Sequence, residues 1–405
     1  MRLSRFFCCL AAWLALCAPL WAAAPDKLFH LTILHTNDIH AHIDQFNDLG
    51  QSCSEEDIQK NACFGGYPRI ASAVEAARKK GGNVLLLDAG DQFTGTLFFN
   101  VLKGAPSQAC LNALRYTAMT LGNHEFDDGP AVLADTLLKG LNVPVLAANM
   151  DAEREPALKG RTRPWMVLTV GGRKVGLVGL ANEHTPRMSS PGPDVAFSDS
   201  AQALRKAVQE LSAQGADIVV AVTHVGYDHD RKLAASVDGV DVIVGGHSHT
   251  LLSNTDAKAA GPYPTVEQSP SGKPVLVVQA KAWGKYLGDL EVDFDAKGVP
   301  IAWRGEPLLL DGSRPQDPAM LAKVKAWEEE LKPYMSHVVG KLTDPLRPNC
   351  RGGECALGNV MADALRAAAK DQGVRAAFIN GGAARAGLKA GDVNVGDLLT
   401  VYPFQ

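Results

Sequence analysis

After its first two dozen residues the sequence has no apolar run long enough to cross a bilayer, which excludes a chain built from membrane-spanning helices. It has no excess of positive charge. Forty lysines and arginines stand against 44 acidic residues for a net charge of −4, so a basic surface for nucleic-acid polymers is not expected. Internal repeats and low-complexity tracts are absent, and no cysteines have the C-x-x-C spacing of a structural zinc site. With 46% hydrophobic and 21% charged residues over 405 positions, what remains is an ordinary globular protein of two or three domains with sizeable cores.

The first segment differs from the rest. Arg2 and Arg5 precede an apolar run from Phe6 to Trp21, and Ala22, Ala23 and Ala24 supply small residues before Pro25. Residues 1–24 therefore read as a secretory signal peptide, and Leu16 before Cys17 argues against a lipid-anchored form. Its removal takes away Arg2 and Arg5 and moves the charge from −4 to −6. Five cysteines remain in a chain expected to be exported, periplasmic or secreted, without stable membrane insertion. Disulfides are the default in that compartment. The simplest pairing is local, Cys53 with Cys63 and Cys350 with Cys355, which leaves Cys110 over.

Five short apolar runs end in clusters of polar, metal-capable residues. Leu31–His35 leads to Asp38 and His40, Asn83–Leu87 to Asp91, Ala118–Leu121 to Asn123 and His124, Asp217–Val222 to His224, and Val240–Val244 to His247 and His249. Helix-like stretches lie between and around them, at 67–80, 107–116, 129–139 and 201–214. Alternating strands and helices imply an α/β core whose ligands gather at the carboxyl ends of strands. Residues 141–180 and 274–295 read as strand-rich and would complete a two-sheet sandwich flanked by helices. A helix-like segment at 317–331, followed by Pro333, reads as a connector to a second domain.

The clusters together form a metal-ligand inventory. Borderline divalent ions take carboxylate oxygen, imidazole nitrogen and amide oxygen, and two such ions need a shared anionic bridge. Asp38, His40, Asp91 and His249 would surround one ion, and Asp91, Asn123, His224 and His247 the other. Zinc, manganese, cobalt or iron would each suit this set. His42 could extend the first cluster, whereas His30, His35, His184, His229 and His337 lack partner spacing and read as surface or packing residues.

Asp38-x-His40, Gly90-Asp91, Gly122-Asn123-His124-Glu125 and Gly245-Gly246-His247-Ser248-His249 resemble the motif set of calcineurin-like metallophosphoesterases. The resemblance implies a four-layer αββα sandwich and in-line attack on phosphorus by a water or hydroxide held by the ions, with no covalent intermediate. His124, free to face the open side because Asn123 ligates, would bond the phosphoryl oxygen or assist the leaving group. Asp127 would orient and charge its imidazole.

Towards the C-terminus, Cys350-Arg351-Gly352-Gly353-Glu354-Cys355 opens a helix-like run at 360–370, and Phe378-Ile379-Asn380 ends a strand-like run in a glycine turn carrying Arg385. Arginine suits phosphate or carboxylate because its planar fork donates two bonds at once. This combination is similar to the secreted 5′-nucleotidase family over residues 29–404. The family also includes UDP-sugar hydrolases and 2′,3′-cyclic phosphodiesterases. The resemblance implies substrate contacts at Arg351, Asn380 and Arg385, and base stacking on Phe404. His249 stands where that family often has Gln or Asn. The expected organisation is a signal peptide at 1–24, a catalytic domain at 25–316, a connecting helix at 317–335, and at 336–405 a partial α/β substrate-binding domain lacking the second base-stacking ring. The expected activity is release of phosphate from nucleoside 5′-monophosphates. Alternatives on the same scaffold are UDP-sugar, cyclic-nucleotide or thiosulfo-ester hydrolysis, and, in a different class, a non-catalytic nucleotide or metal scavenger.

Overall fold

A computed structural model describes residues 28–404. The expected signal peptide at 1–24 lies outside the described residues. The first sheet contains β1 (Phe29–Thr36), β2 (Val84–Asp88), β3 (Ala118–Thr120) and β4 (Val145–Leu146). These four run parallel in that order. A minor strand β5 (Met150–Asp151) pairs with β8 (Ala196–Phe197). The second sheet contains β6 (Trp165–Val170), β7 (Arg173–Leu180), β9 (Ile218–Thr223), β10 (Val242–Val244), β11 (Thr265–Gln268) and β12 (Pro274–Val278). Its order is β11-β12-β10-β9-β7-β6, with β7, β9, β10 and β12 parallel. Antiparallel β13 (Tyr286–Phe294) and β14 (Pro300–Gly305) return to extend the first sheet beside β1.

Side-chain alternation along these strands divides the interior into three cores and so defines four layers. Leu31, Ile33, Leu85 and Leu87 of the first sheet meet Val220, Val222, Val242, Val244, Leu276 and Val278 of the second. The intervening residues point outward. Leu34 and Leu86 pack under the helices Tyr67–Lys79, Ala105–Leu114 and Pro318–Met335. Val219, Ala221, Ile243, Val275 and Val277 pack under Ser200–Ala213 and Tyr227–Ser236. The helix Ser200–Ala213 shows why it forms: Asp199 accepts the Gln202 backbone N–H as an N-cap, and Leu204, Ala207 and Leu211 recur on its buried face.

The connecting helix runs from Pro318 to Met335, within the expected 317–335, with Pro333 in its last turn, anchored by the buried Met320, Val324 and Leu331. Two local expectations are revised. The helix expected at 360–370 begins earlier, at Ala356, because the Cys355 sulfur accepts the Gly358 N–H and starts it. The run ending at Phe378-Ile379-Asn380, expected as a strand, pairs with no neighbour among the described residues, and Phe378 is 92% exposed. An unpaired strand cannot satisfy its backbone groups.

Before the connecting helix, β15 (Leu308–Leu309) pairs back to β13, and beyond it β16 (Val338–Leu342) pairs with β17 (Gly391–Asn394). A small core of Cys350, Cys355, Leu357, Leu388, Val393 and Val401 holds this C-terminal part together. It docks on the sandwich by backbone capture. Gln51 donates to the carbonyls of Gly387 and Asp397, and Asn100 donates to that of Pro403. Both expected disulfides are present, Cys53–Cys63 and Cys350–Cys355. Cys110 is a buried thiol packed against the Met320 sulfur at 3.6 Å, and burial pushes its pKa far up, so it acts as a core hydrophobe.

Candidate metal centre and substrate cleft

The carboxyl ends of β1, β2 and β3 in one sheet and of β9 and β10 in the other point to the same edge of the sandwich. Each ligand candidate follows one of these strands directly, so the two sheets bring five separated stretches of sequence together. The groups Asp38–His40–His249, His40–Asp91–His124 and Asp91–His224–His247 each place their donor atoms within 4.8 Å of one another. Asp91 lies between the two halves, with its Oδ2 3.0 Å from His224 Nε2 and 3.6 Å from His40 Nε2. Asp38 Oδ1 is 3.4 Å from His249 Nε2. Asn123 completes the second half, its Oδ1 buried without a hydrogen-bond partner.

Proton counting tests whether these residues fit metal. His224 Nδ1 donates to the Ala89 carbonyl at 2.6 Å, and His40 Nδ1 donates to the carbonyls of Phe93 and Thr94. Each ring therefore presents Nε2 inward. His224 Nε2 faces a carboxylate oxygen of Asp91, and His40 Nε2 faces His249 Nε2 at 3.0 Å, Asp91 and the Arg385 guanidinium. Burial opposes charge on His224, yet Asp91 and Asp38 hold its pKa up at about 10, so positive charge is favoured at this Nε2, carried by a proton or by a metal ion. Burial likewise opposes charge on Asp91, and the surrounding imidazoles still keep it well below the carboxylate range. The donor set fits two divalent cations sharing Asp91.

The backbone is bent to make this cluster. Asp38, His40, Asp91, His247 and His249 all lie at positive φ, between 49° and 75°. Left-handed backbone costs an L-residue roughly 1–2 kcal/mol and is concentrated where geometry serves function. Glycines make room: a Cβ on Gly122 would sit 2.0 Å from Asp91 Oδ1, and one on Gly246 2.9 Å from His224 Nδ1.

His124 follows Asn123 on a short 3₁₀ turn, with its backbone N–H on Asp91 Oδ1 at 2.9 Å and its ring Nδ1 2.6 Å from Asp127 Oδ2. Burial pushes its pKa down, but the Asp91 and Asp127 carboxylates prevail and raise it. A cleft of about 660 Å³ opens in front of it, lined by Asn123, His124, His247, Arg351, Asn380, Arg385 and Phe404, with Arg187 and Met188 on the far wall. Arg385 Nη2 reaches His40 Nε2 at 3.0 Å, and the Phe404 ring lies 6.1 Å from that of His124. Of the sequence-derived residues, Asn123, His124, His247, Arg351, Asn380, Arg385 and Phe404 line this one space, and Asp38, His40, Asp91, His224 and His249 do not. His42 stands apart, stacked on Trp283 at 4.6 Å with Nδ1 turned to backbone carbonyls. His35 is a packing residue bonded to the Tyr263 hydroxyl, as expected.

Two groups carry more than sequence reasoning gave them. Glu125, wholly buried, accepts the backbone N–H groups of Gly122, Asp91, Gln92 and Phe93 and so fixes the loops that bear Asp91 and Asn123. An acid in a strand-end motif with no cation nearby was its only signal. Arg187 had none: it lies on a short turn between strands, and among the described residues its guanidinium makes no ion pair.

Two facing sheets with a shared-carboxylate metal cluster at their common carboxyl edge define a metallophosphoesterase-class protein. The family model for calcineurin-like phosphoesterases matches residues 31–251, and that for the 5′-nucleotidase C-terminal domain matches residues 338–405. The chain is 43% identical to the 5′-nucleotidase of Bos taurus over 361 residues, covering 87% of this chain and 62% of the bovine protein. It is 41% identical to that of Diplobatis ommata, covering 96% of this chain and 69% of that one. Among solved structures, a 5′-nucleotidase precursor from Thermus thermophilus superposes with a TM-score of 0.85 at 42% identity, over 93% of this chain and 74% of that one. The chain belongs to the 5′-nucleotidase family of calcineurin-like phosphoesterases. It spans a little over three fifths of the length of the bovine and human relatives it matches.

Proposed function

We propose that the protein releases phosphate from nucleoside 5′-monophosphates, with Asp38, His40, Asp91 and His249 holding one divalent ion and Asp91, Asn123, His224 and His247 the other. The ions would supply charge neutralisation at the phosphoryl group and lower the pKa of water. Asp127 holds the His124 proton at Nδ1 and keeps the ring facing the cleft, so Nε2 can donate to a phosphoryl or leaving-group oxygen. Arg351, Asn380 and Arg385 bind the substrate from the C-terminal side, and Phe404 offers a face to the base. The domain limits 25–316, 317–335 and 336–405 belong to this reading, as does export, which suits the two disulfides. No described helix is long and apolar enough to cross a membrane.

The observation that carries the reading is the Asp91 carboxylate set between His224 and His40, beside a cleft that Asn123, His124 and His247 share with Arg351 and Arg385. Phosphate release from AMP, UDP-glucose and 2′,3′-cyclic AMP, measured with added divalent metal, tests it. AMP is expected to be the best substrate. Turnover confined to either of the others would replace the monophosphatase reading, and turnover of none would remove it.

A further inference from the structure

The loop after β7 is tied to the His124 turn more closely than its position requires. Its base is rigid: the Asn182 side chain accepts the His184 N–H, its carbonyl accepts the Thr185 hydroxyl at 2.7 Å, and Thr185 is wholly buried. A short helical turn, Thr185–Met188, carries Arg187 and Met188 to the cleft wall. The next two residues fold back. Ser189 Oγ donates to Asp127 Oδ1 at 2.7 Å, and the Ser190 N–H donates to the Phe126 carbonyl at 3.3 Å. The other oxygen of Asp127 is the one that holds His124. An Asp127 carboxylate anchored at one end only could rotate about its Cβ–Cγ bond and offer His124 either oxygen or neither.

We propose that Ser189 is a positioning residue for the phosphoryl-transfer step, fixing Asp127 so that the His124 ring keeps one orientation towards the cleft. This rests on the phosphoesterase reading above. The hydroxyl directly follows the Arg187–Met188 tip on a short loop with a buried base, so the catalytic histidine is oriented by the same segment that walls the cleft.

The test compares Ser189→Ala and Ser189→Thr with wild type, using AMP and a generic aryl phosphate. For Ser189→Ala, kcat is expected to fall about ten-fold, the lower end of what a hydrogen bond to a carboxylate contributes, with KM within about two-fold and melting temperature unchanged. Ser189→Thr, which keeps the hydroxyl, is expected to recover most of kcat. Independently of turnover, the strongly downfield proton NMR signal of the His124 Nδ1–H···Asp127 bond should be present in wild type and Ser189→Thr and lost or broadened in Ser189→Ala. Wild-type kcat in Ser189→Ala, a threonine variant as impaired as alanine, or an unchanged downfield proton would overturn the proposal. Wild type that hydrolyses neither substrate would instead remove the phosphoesterase reading, while the proton signal still decides whether Ser189 holds the pair.

Discussion

Replacing Gly122 by alanine isolates the geometry of the bridging carboxylate. Gly122 is not in left-handed backbone, so alanine there meets no conformational penalty. The obstacle is space: the new Cβ would lie 2.0 Å from Asp91 Oδ1 and 2.6 Å from the Asp91 backbone nitrogen, where ordinary contact begins at 3.4 Å. Asp91 cannot yield easily, because its backbone N–H is held by Glu125 and its Oδ1 by the His124 N–H. Relief therefore requires the carboxylate to retreat by more than about 1 Å, a displacement that costs on the order of 100-fold in catalysis. Overpacking of this kind costs about 1–3 kcal/mol in stability, a fall of several degrees in melting temperature rather than loss of the fold. Gly122→Ala should thus remain folded by circular dichroism, bind fewer than two metal ions per chain by elemental analysis, and lose at least about 100-fold in kcat/KM. Full metal content with wild-type turnover would refute the placement of Asp91 between two ions.

Other consequences follow from the same geometry. His124→Ala should keep its metals and lower kcat by roughly 10²–10⁴-fold on AMP, the usual contribution of a positioned acid or base, checked by steady-state kinetics alongside elemental analysis. Arg385→Ala should raise KM more than it lowers kcat, and Arg385→Lys should not restore it, because a lysine cannot reproduce the planar fork. Asp241, far from the cleft, has its pKa pushed up to about 7 by burial, against the pull of the Val219 N–H. The fold favours its neutral form, so its contribution is fully present below about pH 4 and is lost as pH rises through 7, by an upper bound of about 4 kcal/mol. Asp241→Asn should therefore gain melting temperature over wild type increasingly between about pH 5 and pH 8. A constant difference across that range would contradict the argument.

The sandwich was legible because five of its strands are short apolar runs, each followed at once by a polar cluster, and parallel strands deliver those clusters to one edge. Asp38, Asp91, His224 and His247 could be grouped from sequence for that reason. What escaped depends on backbone geometry. Glu125 acts through N–H groups of Asp91, Gln92 and Phe93 some thirty residues away, and nothing in its own neighbourhood shows that. The left-handed backbone at Asp38, His40 and Asp91 is uncommon for any residue but glycine, though Asp and His tolerate it better than most, and tertiary contacts set it. Ser189 and Arg187 sit in a segment without hydrophobic periodicity, so only the fold brings them to Asp127 and the cleft. The run ending at Phe378-Ile379-Asn380 failed in the opposite sense: the local pattern is strand-like, but a strand also needs a partner. Pro333 does not end the connecting helix, since a proline in a last turn removes only one N–H and the apolar face of the helix outweighs it.

The central claim is that two ions sharing Asp91 are needed to release phosphate from a nucleotide. Metal-stripped protein titrated with zinc or manganese, with phosphate release from AMP followed at each addition, tests this directly. Activity should be absent in the stripped protein and should rise to a plateau at two ions per chain, and Asp91→Asn should bind fewer ions and stay inactive. Full activity without metal, or a plateau unaffected by Asp91→Asn, would contradict it.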